Sequence, residues 1–372
     1  MQQAKLSKND FQKLFGILGK DGYSVIAPTV RDNAIIYDEI ESAQELPVGK
    51  RDEQQAGRYR LKDRDDQAFF GYVVGPHSWK KYLHPPKIRL WSAHRNGTGL
   101  KIEPEEPYAA KRAFIGVRPC ELQAILVQDK VFLGAEFIDQ QYRSRRENLF
   151  IVAVNCTEPG GTCFCASMQT GPQADKGFDL ALTEVVDGES HYFVVEVGTE
   201  AGQKILKMLP HEKVGEAERE VVAQLMTQAE QRMGSSINTE DLQKTLSENQ
   251  EHPHWQDVAQ RCLSCTNCTM VCPTCFCTSV EDVTDLTGNT AERWRMWDSC
   301  FSGDFSYVHG GAVRSSTKSR YRQWLTHKFS SWIDQFGTSG CVGCGRCVTW
   351  CPVGIDVTKE VAAIQNNPLI KK

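Results

Sequence analysis

Apolar positions in the first 200 residues recur with periods that switch between helix and strand. Phe11, Leu14, Phe15 and Leu18 stand at helical spacing behind Ser7, with Asp10 three residues after the serine, which predicts a packing helix ending near Gly19. Short runs at 24–28 and 34–37 predict two strands joined through Arg31, Asp32 and Asn33. Residues 44–66 are polar and without period, and read as surface loop, whereas the aromatic and β-branched run 69–74 reads as a buried strand. Segments 113–117 (A-F-I-G-V) and 149–154 (L-F-I-V-A-V) are near-continuous apolar runs, the mark of strands buried on both faces, and 121–127 between them has helical spacing. This predicts a strand, helix, strand unit with parallel strands. Runs 180–186 and 192–197 flank D-G-E-S, a hairpin signal at Asp187 and Gly188. From 202 to 249 the pattern is helical, charged and nearly free of aromatics, broken at Gly234-Ser235-Ser236 with a cap at Asn238, and reads as a solvated helical linker.

Composition narrows the class. The chain has 372 residues, 40% hydrophobic and 24% charged, enough for two or three domains of an ordinary soluble protein. No stretch is long and apolar enough to enter a membrane. A formal net charge of -4 argues against a nucleic-acid partner. The N-terminus, M-Q-Q-A-K-L-S-K-N-D, has neither an apolar core nor a twin arginine, so the expected compartment is the reducing cytoplasm.

Beyond residue 250 the cysteines take over. Residues 262–273 read C-L-S-C-T-N-C-T-M-V-C-P and residues 341–352 read C-V-G-C-G-R-C-V-T-W-C-P. Both have the C-x2-C-x2-C-x3-C-P spacing of two-cluster ferredoxins, in which the fourth cysteine of each run ligates the other cluster. Three thiolates from one tight turn wrap a cube of iron and sulfur, and the fourth must come from elsewhere. The rule assigns Cys262, Cys265, Cys268 and Cys351 to a first [4Fe-4S] cluster, and Cys341, Cys344, Cys347 and Cys272 to a second. The competing reading is a zinc-stabilised interaction module, which would present two C-x2-C pairs or mixed cysteine and histidine. A disulfide framework is disfavoured by the length of the chain and its 15 cysteines, an odd number.

Four more cysteines follow the two buried strands. Cys120 comes after the first and Cys156 after the second, with Cys163 and Cys165 in C-F-C beyond the turn Pro159-Gly160-Gly161. These make a candidate third cluster site, against which stands the reading that they are buried free thiols. Cys275, Cys277 and Cys300 are not assigned by spacing. The loop 75–86, G-P-H-S-W-K-K-Y-L-H-P-P, is either a binding loop at a strand end or a surface turn leading into a short helix. Arg314, Lys318, Arg320, Arg322, His327 and Lys328 interleave with Tyr321, Trp324, Phe329 and Trp332. The simplest account is cations offsetting reduced clusters while the aromatics pack around them. No G-x-G-x-x-G opens a helix after a strand, so a flavin or other dinucleotide has no support in the sequence.

The combination of G-P-H-S-W-K-K, G-V-R-P-C-E-L-Q-A, C-P-T-C-F-C, W-D-S-C-F, R-Y-R-Q-W-L-T-H-K and G-C-V-G-C-G-R-C-V-T-W-C-P-V-G-I-D resembles the beta subunits of cytoplasmic nickel-iron sulfhydrogenases and their relative, the electron-transfer subunit of anaerobic sulfite reductase. The resemblance implies a non-catalytic electron-transfer subunit carrying [4Fe-4S] clusters. It implies as partners a flavin subunit handling NAD(P)H and the small and large nickel-iron hydrogenase subunits, with sulfite reduction as the alternative. A more distant resemblance to beta subunits of deazaflavin-reducing hydrogenases implies a cluster at Cys120, Cys156, Cys163 and Cys165. The expected fold is α+β: an N-terminal α/β domain with a mixed sheet (1–205), a helical linker (206–250) and a mainly helical, ferredoxin-like dicluster domain (251–372).

Overall fold

The computed structural model describes residues 2–369 apart from 109, 135 and 189. Its strands, in chain order, are β1 (Gln3–Ser7), β2 (Ser24–Arg31), β3 (Ala34–Glu39), β4 (Lys50–Gln55) and β5 (Arg58–Asp63). Next come β6 (Lys87–Asn96), β7 (Gly99–Pro104), β8 (Arg112–Val117), β9 (Leu149–Val154) and β10 (Leu180–Asp187). β11 (Ser190–Val197), β12 (Glu212–Lys213), β13 (Thr278–Thr284) and β14 (Thr290–Trp297) complete the two larger sheets and one hairpin.

An eight-stranded sheet in the order β12-β1-β11-β10-β9-β8-β2-β3 organises the N-terminal half. It is mixed: β2, β8, β9 and β10 pair in parallel and the outer pairs are antiparallel. The two runs predicted as doubly buried strands are its centre, and the helix Pro119–Phe132 connects them, followed by a second helix, Gln140–Glu147. The Ser7-capped helix spans Lys8–Lys20, with the Ser7 hydroxyl accepting from Asp10 N–H at 3.1 Å and all four expected apolar residues buried. Phe11 packs edge-on against Phe69 and Phe70 and lies 4.5 Å from Phe193 between ring centres, fixing helix to sheet. The short strand β1 had no signal in the sequence, since only Ala4 and Leu6 face inward.

Three of the readings above need correction. Residues 44–66 hold the hairpin β4–β5, in which β4 is polar throughout and β5 alternates only at Tyr59 and Leu61, too short a pattern to stand out from the charged residues around it. Its turn touches the second cysteine run, with Gly57 N–H donating to Val348 O at 3.0 Å. Residues 69–74 are buried but join no ladder. Side chains satisfy that backbone instead: Glu184 accepts from Phe69 and Phe70 N–H, Asp52 from Val73 N–H, and Arg118 donates to Tyr72 O at 2.6 Å. Buried peptide groups need such partners wherever a sheet does not supply them. The loop 75–86 is not a surface turn either, because Trp79, Lys80 and His84 are buried and Trp79 stacks on Tyr37 and Phe114.

The C-terminal half is mainly helical around a second core of Trp255, Phe301, Tyr321, Trp324 and Phe329. A four-stranded sheet, β13-β14-β6-β7, joins the halves. It pairs the hairpin that lies between the cysteine runs with the one at residues 87–104, along Thr290–Met296 opposite His94–Lys87. The region 202–249 includes the helices Glu216–Gln231 and Leu242–Glu248. Its break at Gly234-Ser235 lies against the candidate third site: Ser235 N–H donates to Cys163 O at 2.9 Å, and a Cβ on Gly234 would fall 2.3 Å from Gly161.

Candidate metal centres

Both cysteine runs fold alike. In each, the residues two and four places after the first cysteine have positive φ: Ser264 (+50°) and Thr266 (+69°), then Gly343 (+65°) and Gly345 (+72°). These left-handed steps curl the chain, and a four-residue helical turn then carries the third cysteine. Glycine is required only in the second run. A Cβ on Gly343 would lie 2.7 Å from the Cys165 backbone, and one on Gly345 would lie 2.4 Å from Thr162 O. The first run faces no such wall, so Ser264 and Thr266 bear the strain of the left-handed region.

The structure brings Cys351 to Cys262, Cys265 and Cys268, and Cys272 to Cys341, Cys344 and Cys347. A small cavity of about 30 Å³ opens among the first four, walled by Tyr321, Trp324 and Phe301. Backbone N–H groups point at sulfur, from Ser264 to Cys262 (3.4 Å), Gly343 to Cys341 (3.4 Å) and Ile355 to Cys351 (3.3 Å). Such bonds stabilise thiolate ligands and tune cluster potentials. Four thiols per set, curled loops and donors aimed at sulfur fit a cubic iron-sulfur group. Burial pushes the Cys341 thiol up to about 12 and the Cys344 thiol to about 11, so these thiols are protonated at neutral pH and lose their protons when metal binds.

The strand-end cysteines also meet. Cys120 lies in the first turn of the helix after β8, within hydrogen-bonding reach of Cys165, and Cys156 and Cys163 complete the group. Burial raises the Cys156 thiol to about 11, against the pull of the buried Arg118. Small residues make room here: a Cβ on Gly171 would reach 3.1 Å from Cys165 Sγ and one on Gly160 would reach 3.4 Å from Cys163 Sγ. The linker contributes Met233, whose sulfur is 3.9 Å from Cys165 Sγ.

The three sets touch in one sequence. The strand-end set abuts the second run, with Cys163 Sγ 3.8 Å from Cys344 O and Phe164 N–H donating to Gly343 O at 2.8 Å. The second run abuts the first, since Cys268 faces both Cys272 and Cys347. At the far end Cys265 is exposed beside exposed Leu263, whereas the other cysteines are buried or half-buried.

Buried cations line the inner part of this series. Burial disfavours the Lys328 ammonium, but the thiols of Cys272, Cys275 and Cys341 outweigh it and hold its pKa above the ordinary lysine value. Its Nζ is 3.4 Å from Cys272 Sγ, 2.6 Å from Thr274 Oγ1 and 3.0 Å from Gly340 O. Lys328 lies in a π-helical segment, His327–Ser331, an irregularity often found at functional sites. Of the cations expected near the clusters, Arg322 instead bonds Glu251. Arg346 sits between the second and third sets, neutralised by the buried Glu121 at 2.6 Å, to which Tyr37 also donates. Lys80, Arg118 and Arg346 were not legible as charge partners, because their sequence neighbourhoods say nothing of which thiols they face.

Residues 261–355 match the family model of the 4Fe-4S dicluster domain. The chain is similar to the beta subunit of sulfhydrogenase 2 from Pyrococcus furiosus, 29% identical over 370 residues that cover 98% of this chain and 99% of the relative. No solved structure matches it at a significant level.

Proposed function

We propose that this chain, an iron-sulfur electron-transfer subunit with a 4Fe-4S dicluster domain and end-to-end likeness to a sulfhydrogenase beta subunit, relays electrons through three clusters in series. The first and second are held by the two crossed sets, Cys262, Cys265, Cys268, Cys351 and Cys341, Cys344, Cys347, Cys272. The third is held by Cys120, Cys156, Cys163 and Cys165. The observation that carries the reading is the order of contact: strand-end set, second run, first run, exposed Cys265. Electrons pass by outer-sphere transfer, and the protein sets each potential through burial, N–H bonds to sulfur and the buried cations. Catalysis belongs to partner chains. In this reading they are the nickel-iron hydrogenase subunits at one end and a flavin subunit handling NAD(P)H at the other, in the cytoplasm. The relative's name supports this over a sulfite reductase partner.

The test is iron, acid-labile sulfide and zinc per chain on anaerobically purified protein and on Cys156→Ser. The variant should lose about four irons while keeping the reduced-state paramagnetic resonance of the dicluster. An unchanged iron content would remove the third cluster, and zinc in place of iron would overturn the relay. Nickel in the complex isolated with its native partners checks the hydrogenase assignment.

A further inference from the structure

Twelve of the 15 cysteines fall into the three sets, which leaves Cys275, Cys277 and Cys300. Cys277 and Cys300 lie at one end of the sheet that joins the halves, and Cys275, three residues before β13, has its thiol within hydrogen-bonding reach of Cys272 of the second set. Cys277 directly precedes β13, and its carbonyl accepts from Asp298 N–H at 2.8 Å in continuation of the ladder. Cys300 follows β14 and reaches the Cys277 thiol within hydrogen-bonding distance. Cys275 belongs to the same C-F-C as Cys277. The identical tripeptide at 163–165 delivers both of its thiols to Cys120 and Cys156.

What faces these thiols is a second, independent observation. Lys80 and Lys328 are buried side by side, 4% and 3% exposed, and among the described residues neither forms an ion pair with a carboxylate. Lys80 Nζ has only two long contacts, 3.4 Å to Thr269 O and Met270 O, and the face of Trp297 at 3.9 Å. The groups around it that can carry negative charge are Cys275, Cys272 and Cys277. Burying an ammonium without an anion costs several kcal/mol, on the order of the loss when one partner of a buried pair is removed. Cys272 belongs to the second set and supplies one partner. Two adjacent amines call for more anionic charge, and metal-bound thiolates would supply it.

We infer that Cys275, Cys277 and Cys300 hold a further iron-sulfur cluster, with three protein thiolates, one position left to a non-cysteine ligand, and Lys80 and Lys328 as charge partners. The open position follows from arithmetic, since eight, four and three exhaust the 15 cysteines. This inference rests on the iron-sulfur reading above but fails separately from it.

The experiment compares iron and sulfide per chain, with paramagnetic resonance of oxidised and reduced samples, in the parent, Cys277→Ser, Cys300→Ser and Lys80→Met. Either cysteine variant should lose about three or four irons relative to the parent, with the dicluster signals retained. Lys80→Met, which keeps every thiol, should weaken or shift the signal lost in the cysteine variants, with a smaller shift of the second cluster through Cys272, and serves if those variants fail to fold. Unchanged iron in the cysteine variants, with a reversible Cys277–Cys300 disulfide in peptide maps of the parent, would overturn the inference and leave a dithiol pair. A Lys80→Met spectrum identical to the parent's would also overturn it. A parent without iron would overturn the relay itself.

Discussion

Replacing Lys328 by methionine removes the cation nearest the second set while conserving most of its volume. Its Nζ stands 3.4 Å from Cys272 Sγ in a fully enclosed site. At an effective dielectric of about 20, a unit charge at that distance would interact with a full charge on the sulfur at about 5 kcal/mol. An electron added to a cluster is spread over its irons, sulfides and four thiolates, so about a third of that is the expected loss, ~1.5 kcal/mol. For a one-electron couple this lowers the midpoint potential of the second cluster by about 60 mV. The sign follows from the loss of a positive charge that favours the reduced state. The assay is a redox titration followed by paramagnetic resonance, with Lys318→Met, in the preceding helix, as the control that should leave the potential in place. Lys328→Gln should shift it like methionine while keeping a donor for Gly340 O. A fully assembled cluster whose potential moves by less than about 15 mV in both Lys328 variants would refute the charge argument.

Three further outcomes are expected. Gly343→Ala puts a methyl 2.7 Å from the Cys165 backbone at a φ of +65° and should cost at least about 2 kcal/mol in a denaturant titration, with loss of iron from the inner sites. Thr266→Gly relieves a β-branched residue at a φ of +69° and should gain up to about 1 kcal/mol in the same titration. His84 is buried between Phe132 and Trp297, neither ring nitrogen has a partner, and burial lowers its pKa to about 3. The folded state therefore binds its proton later than the unfolded chain, and stability should fall by roughly 1.4 kcal/mol per unit as pH drops from about 6.5 towards 3. His84→Phe should flatten that slope, and an unchanged slope would exclude His84 as its source.

Legibility in the sequence followed the range of the forces involved. The cysteine runs, the Ser7-capped helix and the strand pair 113–117 and 149–154 are set by residues a few positions apart, and each appeared where the pattern placed it. The run 69–74 misled because apolar aromatic residues mark burial and not ladder pairing. Its peptide groups go to Asp52, Arg118 and Glu184, partners no local window contains. The hairpin β4–β5 was invisible for the opposite reason, carrying only Tyr59 and Leu61 as apolar inward residues among charged ones while it braces a cysteine loop. In the candidate sites, spacing named the thiols but not their neighbours. That Lys80 meets Cys272 and Cys275, or that Gly343 is glycine because Cys165 stands against it, depends on contacts across nearly 200 residues.

The pairing of β14 with β6 also bears on how the chain is made. Residues 87–96 leave the ribosome almost two hundred residues ahead of residues 290–297, so β6 waits with an open edge for most of synthesis. An open edge is an invitation to pair with another chain. The N-terminal half is therefore a nascent intermediate in need of protection, and translation must pass residue 297 before that edge is covered. A polypeptide arrested before that point should be sensitive to proteases at 87–104, and one released beyond it should not. Assembly of this protein is in that sense a late event, decided when the last third of the message is read.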